Sequence, residues 1–191
     1  MAEQTWLAVG LGNPGRRYEH TRHNAGTRAI GRLAKALSVK LKRSRSPALV
    51  GEARLEEGRL ILATPTTFMN ESGIAIASLL SWHQLPTDSL VVIHDEIDIG
   101  AGTIRLKRGG GTAGHNGLES VARSLSTKDF YRVRVGVGRP PGRRDAANWV
   151  LDRMSRGECE EAAVTEAEAG EALLMLIREG IDKAMSIFHA R

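Results

Sequence analysis

The chain has 191 residues, of which 41% are hydrophobic, and it carries a formal net charge of +5. This length supports a hydrophobic core without a metal or disulfide, so we expect one domain that spans residues 1–191. The single cysteine excludes an internal disulfide, which fits a reducing compartment, and no apolar run approaches the roughly 20 residues of a membrane span. The start, MAEQTWLAVG, has no basic region followed by a long apolar stretch, so we expect a cytoplasmic protein without a signal peptide.

The spacing of apolar residues predicts strands and helices in alternation. In chain order it predicts a strand at 6–11, a helix at 24–37, a basic loop at 40–46, hairpin strands at 48–55 and 59–64, a helix at 70–83, strands at 89–94 and 103–108, a helix at 118–125, a strand at 130–137, and helices beyond 145 with an amphipathic stretch at 166–188. Alternation of this kind is typical of the α/β class, whereas the hairpin argues against a purely parallel sheet. We therefore expect a single compact α/β domain with a mixed, twisted sheet flanked by helices.

The charge is distributed unevenly along the chain. Residues 158–191 carry three Lys or Arg and eight Asp or Glu, which leaves 24 basic and 14 acidic residues in the first 157. A basic body fits a polyanionic partner, because each neutralised phosphate releases counterions, although basic residues also serve solubility alone. For the acidic segment 158–171 we expect a solvated helix face.

Polar residues crowd the ends of predicted strands, where α/β sheets bind their ligands. The four segments span 12–26, 68–73, 94–98 and 109–117. The run from Gly10 to Gly15 also matches the G-x-G-x-x-G pattern of dinucleotide sites, but Glu19 lies too close and Glu52 too far for the ribose-binding acid. A tight loop at the strand exit explains these glycines, so we expect no nucleotide cofactor.

Histidines and acidic residues share these segments and suggest either a metal site or acid–base chemistry. The residues are His20, His23, His94, His115, Asp95, Glu96 and Asp98. No H-E-x-x-H or H-x-H-x-D spacing is present, so we expect no metal. A histidine supported by a carboxylate and by asparagine amides suits hydrolysis, in which the imidazole takes a proton from water and an amide stabilises the oxyanion.

Covalent catalysis has little support in the sequence. There is no G-x-S-x-G elbow, and Ser72 occupies a predicted helix start, where capping explains it. Cys159 lies among glutamates, which disfavour a thiolate. We therefore expect water to be the nucleophile.

The polar segments also resemble a known family. Gly-Leu-Gly-Asn-Pro-Gly, Thr-Arg-His-Asn-Ala-Gly, Phe-Met-Asn-x-Ser-Gly, His-Asp-Glu-x-Asp and Gly-Gly-Gly-x-x-Gly-His-Asn-Gly occur in this order within residues 7–140, and together they resemble the bacterial peptidyl-tRNA hydrolases. The resemblance implies a usually monomeric α/β enzyme without metal or cofactor, which hydrolyses peptidyl-tRNA that has dropped off the ribosome and so recycles the tRNA.

The resemblance also implies roles for individual residues. His23 matches the catalytic base, Asp95 matches the carboxylate that supports it, and Asn13 matches the residue that distinguishes a blocked α-amino group from a free one. Matches to substrate contacts near the tRNA 3′ end are Tyr18, Phe68, Asn70 and Asn116, with Met69 and His115 as secondary candidates. The oxyanion donor is either Asn70 or Asn116.

The basic residues then have a purpose as phosphate contacts on the acceptor stem. The candidates on the strands at 103–108 and 130–137 are Arg105, Lys107, Arg108, Arg132 and Arg134. A solvated strand face is the alternative for each of them. The segment 40–45 is a weaker candidate, and for it a solvated loop is the favoured interpretation.

Two rival functions fit parts of the pattern. A relative that binds RNA without catalysis would retain the basic body, and a hydrolase for another ester or amide would retain the cleft. The presence of His23, Asp95 and all three asparagines argues against the first rival, and the basic surface makes a small neutral substrate less attractive.

Overall fold

The computed structural model describes residues 4–190, whose strands form one seven-stranded sheet. The strands are β1 Gln4–Gly10, β2 Lys42–Arg43, β3 Ala48–Leu55, β4 Gly58–Pro65, β5 Leu90–Glu96, β6 Ile104–Arg108 and β7 Tyr131–Gly136. Their order is β2-β3-β4-β1-β5-β7-β6. Neighbours among β4, β1, β5 and β7 are parallel, whereas β2, β3 and β6 pair antiparallel with their neighbours. The prediction of a mixed sheet flanked by helices is confirmed.

Helices cover both faces of this sheet. They are α1 Ala25–Ala36, α2 Ser72–His83, α3 Asn116–Leu125, α4 Ala146–Leu151, α5 Arg156–Glu179 and α6 Ile181–Phe188, and 3₁₀ turns occupy Arg22–Asn24, Met69–Glu71 and Thr87–Ser89. One core cluster joins the sheet to α1, α5 and α6, and the other joins it to α2 and α3. Strand β1 sends Trp6 and Ala8 into the first cluster and Leu7 and Val9 into the second, which explains its unbroken apolar sequence.

Two glycines bring helix α1 against the strand ends. A Cβ added at Gly10 would lie 2.1 Å from the Gly26 carbonyl oxygen, and one added at Gly26 would lie 2.1 Å from the Ile93 carbonyl oxygen. Since only glycine permits this approach, the backbone at the start of α1 packs directly on β1 and β5. The preceding turn, Arg22–Asn24, is thereby held beside the end of β5.

The structure differs from the sequence predictions at the end of the chain and in one loop. The helix predicted at 166–188 is two helices, because Gly180 adopts a left-handed φ of 82° between α5 and α6. Helix α5 also starts earlier, at Arg156, where Ser155 and Glu158 form a capping box. The segment predicted as a loop at 40–46 contains the short strand β2.

Within residues 4–190, no helix combines the length and apolar character that crossing a membrane requires.

Candidate active site

Two histidines flank one buried carboxylate at the carboxyl end of β5. His23 Nδ1 lies 2.9 Å from Asp95 Oδ2 and 3.0 Å from Oδ1, and His115 Nε2 lies 2.8 Å from Oδ1. His23 comes from the 3₁₀ turn before α1, and His115 is the N-cap residue of α3. Three separate elements therefore converge on Asp95, and the structure brings it together with His23, the predicted base.

The cap of α3 fixes the tautomer of His115. Its Nδ1 accepts hydrogen bonds from the backbone N–H groups of Gly117 at 3.1 Å and Leu118 at 3.3 Å. A nitrogen that accepts two N–H donors carries no proton, so the proton of the neutral ring is on Nε2 and is donated to Asp95. His115 thus connects the helix terminus to the carboxylate in one defined orientation.

Asp95 is ionised in this environment. Burial acts to raise the pKa of its carboxyl group, but electrostatic interaction and hydrogen bonding with the imidazoles of His115 and His23 outweigh burial and hold the pKa below its usual value. An ionised carboxylate only accepts hydrogen bonds, so His23 donates from Nδ1. His23 Nε2 is left as the basic nitrogen, and it has no hydrogen-bond partner among the described residues. This is the arrangement of a general base with an orienting carboxylate.

His94 precedes Asp95 and is fully buried. Its Nδ1 donates to the Asp95 carbonyl oxygen at 2.8 Å, and its Nε2 has no partner within the described chain. Burial lowers the pKa of His94 to about 3, with a further contribution from His115. His94 is therefore neutral near pH 7 and acts as part of the core.

A cleft of about 370 Å³ opens beside this cluster. Its lining includes His23, Asp95, His115 and Asn116 together with the glycine-rich segment 112–114. Asp145 and residues of α4 also line it. The cleft therefore brings Asn116, a predicted substrate contact, to the same space as the predicted base.

An amide clasp holds Asn13 at the exit of β1. The Asn24 side chain accepts from the Asn13 backbone N–H at 2.8 Å and donates to the Asn13 carbonyl oxygen at 2.9 Å. Asn13 Oδ1 accepts from the Met69 backbone N–H at 2.8 Å, which leaves its NH₂ group for another partner. The sequence did not predict this role of Asn24, although Asn24 lies within the Thr-Arg-His-Asn-Ala-Gly motif.

The remaining predicted substrate contacts are not among the residues that line this cleft. Phe68 is 53% exposed, Asn70 is exposed on the 3₁₀ turn, and Met69 between them is buried. Tyr18 is half-buried, with the Arg17 guanidinium 5.5 Å from its ring centre. Exposed side chains beside a cleft are free to meet a large substrate.

The acidic segment supports the turn that carries His23. Arg22 is buried, its guanidinium lies 3.4 Å from the Trp149 ring centre, and it pairs with Glu158 at 2.5 Å. Glu166 is 1% exposed and accepts from Arg28 at 2.8 Å and from Arg32 at 3.0 Å. The expectation of a solvated helix face at 158–171 is therefore wrong for Glu158 and Glu166, because both neutralise arginines near α1. Charge counting could not reveal these long-range pairs.

The predicted phosphate contacts are in different states. Arg108 pairs with Asp129 and Asp88, both at 2.7 Å, and Arg105 donates to the Phe188 carbonyl oxygen at 3.2 Å. Lys107 and Arg134 make no hydrogen bond or ion pair with the described residues. The pKa of Lys107 is lowered by its partial burial and, to a smaller extent, by the neighbouring charges of Arg132 and Arg134.

Arg132 does not belong to a solvated basic face. It is 1% exposed, and its guanidinium donates to the carbonyl oxygens of Gly110 at 2.8 Å and Gly111 at 2.7 Å. Strand alternation assigned it to an outer face, but the glycine-rich loop folds over that face and uses Arg132 as its anchor. Arg132 was therefore wrongly expected to reach phosphate.

The same cluster contains the one group of possible metal ligands found among residues 4–190. Ligand atoms of His23, Asp95 and His115 lie within 4.8 Å of one another. Their hydrogen bonds use the lone pairs that a metal would need, so a metal would have to displace both shared protons. The expectation of a metal-free site stays a prediction.

Comparisons with known proteins agree with the motifs. The family model described as Peptidyl-tRNA hydrolase matches residues 7–191. The chain is similar to a peptidyl-tRNA hydrolase of Mycobacterium marinum, with 48% identity over 185 residues that cover 96% of this chain and 97% of the relative. It is also similar to one of Rhodococcus opacus, with 46% identity over 190 residues, 99% of this chain and all of the relative. The crystal structure of peptidyl-tRNA hydrolase from Acinetobacter baumannii superposes with a TM-score of 0.88 at 32% identity, covering 96% of this chain and 94% of that one.

Proposed function

Because the chain belongs to the peptidyl-tRNA hydrolase family, we propose that it hydrolyses the ester that joins a peptide to the 3′ end of tRNA. The observation that carries this proposal is the orientation of His23, whose Nδ1 faces the ionised Asp95 and whose Nε2 is free for water. The products are a peptide with a free carboxyl group and a tRNA that returns to translation.

In the proposed mechanism, His23 Nε2 takes a proton from a water molecule as the water oxygen bonds to the ester carbonyl carbon. Asp95 keeps the ring in the required tautomer and stabilises the imidazolium that forms. When the tetrahedral intermediate collapses, the carbon–oxygen bond to the ribose breaks, and the proton returns from His23 to the leaving ribose oxygen. No covalent enzyme intermediate is needed.

Amide groups would bind the substrate around this step. Asn116 lines the cleft with His23, which supports it as a donor to the developing oxyanion, whereas Asn70 on the neighbouring turn remains the alternative. Asn13 would use its free NH₂ group to donate to the carbonyl oxygen of the acyl group on the α-nitrogen, which an unblocked substrate lacks. Phe68 and Tyr18 would line the approach of the 3′ end, whereas Met69 is buried between Phe68 and Asn70 and would not reach the substrate.

The basic face of β6 and β7 would bind acceptor-stem phosphates. Lys107 and Arg134 support this role best, because no carboxylate within the described chain pairs with them. Arg105 and Arg108 would contribute through their charge while they keep their present partners. If phosphate contacts supply much of the affinity, KM rises with salt, and a KM independent of salt would reject them.

The whole chain would act as one monomeric domain in the cytoplasm. The two core clusters flank the same sheet, and the cleft uses residues from the first turn to helix α4.

The test is cleavage of N-acetyl-aminoacyl-tRNA, compared with the unblocked aminoacyl-tRNA and with a simple N-acetyl-amino acid ethyl ester. We expect rapid cleavage of the blocked tRNA alone. Equal cleavage of the ethyl ester would favour a general esterase, and tRNA binding without cleavage would favour an RNA-binding protein.

A further inference from the structure

A short basic segment, residues 40–45, lies outside the cleft and outside the basic face of β6 and β7. We call it the basic loop, and its charged residues are Lys40, Lys42, Arg43 and Arg45. All four are exposed, and none has an acidic partner within residues 4–190. Some exposed arginines elsewhere, such as Arg156, do pair with a carboxylate. The basic loop is therefore a concentration of positive charge that no carboxylate among residues 4–190 neutralises.

Hydrogen bonds hold the backbone of the basic loop in place. Strand β2 pairs with β3, and Ser44 Oγ lies 2.8 Å from the Ser46 carbonyl oxygen and 3.0 Å from that of Ala48. Ser46 Oγ lies 2.8 Å from Ser78 Oγ, which ties the loop to α2. The cations thus project from a fixed framework, and a partner would not have to order the chain.

An exposed aromatic ring lies beside these cations. Trp82, in the last turn of α2, is 58% exposed, and the Arg45 guanidinium lies 4.8 Å from its ring centre. Proteins that bind single-stranded nucleic acid combine cations for the backbone with aromatic rings for the bases. A partner that is only acidic would not need the ring, so this pair favours RNA over an acidic peptide.

The basic loop lies at the same edge of the sheet as the site. Strand β3 runs antiparallel to β4, with Ala48 opposite Pro65, so the start of β3 meets the carboxyl end of β4. The Thr66 backbone N–H donates to the Pro47 carbonyl oxygen at 2.9 Å. The loop is therefore next to the segment that leads to Phe68 and Asn70. Strand β6 lies six strand spacings away, about 29 Å.

We propose that the basic loop and Trp82 form a second RNA-binding surface, which takes backbone phosphates and a base or ribose of the tRNA on the flank opposite Lys107 and Arg134. This inference rests on the proposed function for the identity of the RNA. The enzyme then binds the tRNA on both sides of the catalytic cleft.

The experiment measures binding of fluorescently labelled, deacylated tRNA by anisotropy across a salt series. For Arg43→Gln/Arg45→Gln we expect Kd to rise roughly tenfold near 0.1 M salt, and the slope of log Kd against log salt to fall by about 1.4 to 1.8 for two lost phosphate contacts. The control, Arg156→Gln/Arg178→Gln, removes the same charge from arginines that pair with carboxylates, and its Kd should change less than twofold. Trp82→Leu should weaken binding without changing the slope, because stacking is not ionic.

A second measurement separates binding from catalysis. The Arg43→Gln/Arg45→Gln variant should keep the native kcat for N-acetyl-aminoacyl-tRNA at saturating substrate, since both side chains lie outside the cleft that contains His23. Loss of that activity, or a Kd and slope equal to those of the control, would overturn the proposal. If the native protein binds tRNA through the loop and cleaves no ester, the proposed function fails and this surface stands.

Discussion

Replacement of Asp95 by Asn should reverse the tautomer of His23. Asn has one acceptor oxygen and one NH₂ donor, whereas Asp95 now accepts from two imidazole N–H groups. His115 must keep its Nε2 proton, because its Nδ1 accepts from the start of α3. The Asn oxygen therefore turns to His115, and its NH₂ group faces His23. His23 then carries its proton on Nε2 and cannot act as the base.

The expected loss in turnover is large. A base held in the wrong tautomer costs about 10⁴-fold where a carboxylate–histidine pair has been altered in this way, so we expect roughly 10³- to 10⁴-fold for Asp95→Asn. That range corresponds to about 4–5.5 kcal/mol of transition-state stabilisation. Single-turnover cleavage of N-acetyl-aminoacyl-tRNA measures the loss, and ¹⁵N chemical shifts of the His23 ring report the tautomer.

A double variant tests the role assigned to His115 in this reasoning. In Asp95→Asn/His115→Ala the amide is free to rotate its oxygen toward His23, so turnover should recover at least tenfold over Asp95→Asn alone. This recovery should occur although loss of the α3 cap costs about 1 kcal/mol of stability. Further loss in the double variant, or near-native turnover of Asp95→Asn, would refute the tautomer argument.

Three other predictions concern the framework of the site. Gly26→Ala places a Cβ 2.1 Å from a backbone oxygen of β5 and should lower the free energy of unfolding by about 3 kcal/mol. In the control Gly31→Ala, on the same helix, the added Cβ meets no atom within 4 Å, so this variant should be as stable as the native protein or more stable. Urea denaturation measures both changes. Glu166→Gln leaves the guanidinium groups of Arg28 and Arg32 without a carboxylate and should lower the free energy of unfolding by about 3 kcal/mol. The control Glu171→Gln changes an exposed residue and should lower it by less than about 0.5 kcal/mol. Equal melting temperatures for the two variants would contradict this prediction. The pKa of His94 is about 3 in the folded protein and near 6.5 in the unfolded chain, so between these pH values only the unfolded chain takes up the proton. The free energy of unfolding therefore falls as the pH drops below about 6.5, by up to about 1.4 kcal/mol per pH unit. Thermal melting between pH 7 and 5 should show a smaller dependence on pH for His94→Gln than for the native protein.

Regular periodicity made the fold predictable. Local sequence determines the buried runs that form β1 and β5 and the hairpin of β3 and β4. The apolar spacing therefore identified these strands correctly. The position of Gly180 was visible, but helical spacing continues across it, so the break between α5 and α6 was missed. The burial of Arg132 depends on a loop that lies 21 residues away in sequence, which alternation cannot reveal.

The candidate site was predictable only through its motifs. Histidine, carboxylate and amides at strand ends suggested hydrolysis, but only the resemblance to a family singled out His23 among the histidines. The structure adds what spacing could not give, namely the capped tautomer of His115, the clasp of Asn24 on Asn13, and the long-range partner Glu158 of Arg22. Each of these contacts joins segments that lie far apart or uses a backbone atom that leaves no mark in the sequence.

The most direct test of the central claim compares the native protein with His23→Ala in the presence of EDTA. Turnover of N-acetyl-aminoacyl-tRNA and Kd for deacylated tRNA are measured for both. If His23 is the base that activates water, EDTA leaves native turnover intact, and the variant loses about 10³-fold or more in kcat while its Kd changes less than severalfold. Near-native turnover of His23→Ala, or abolition of native turnover by EDTA, would contradict the account.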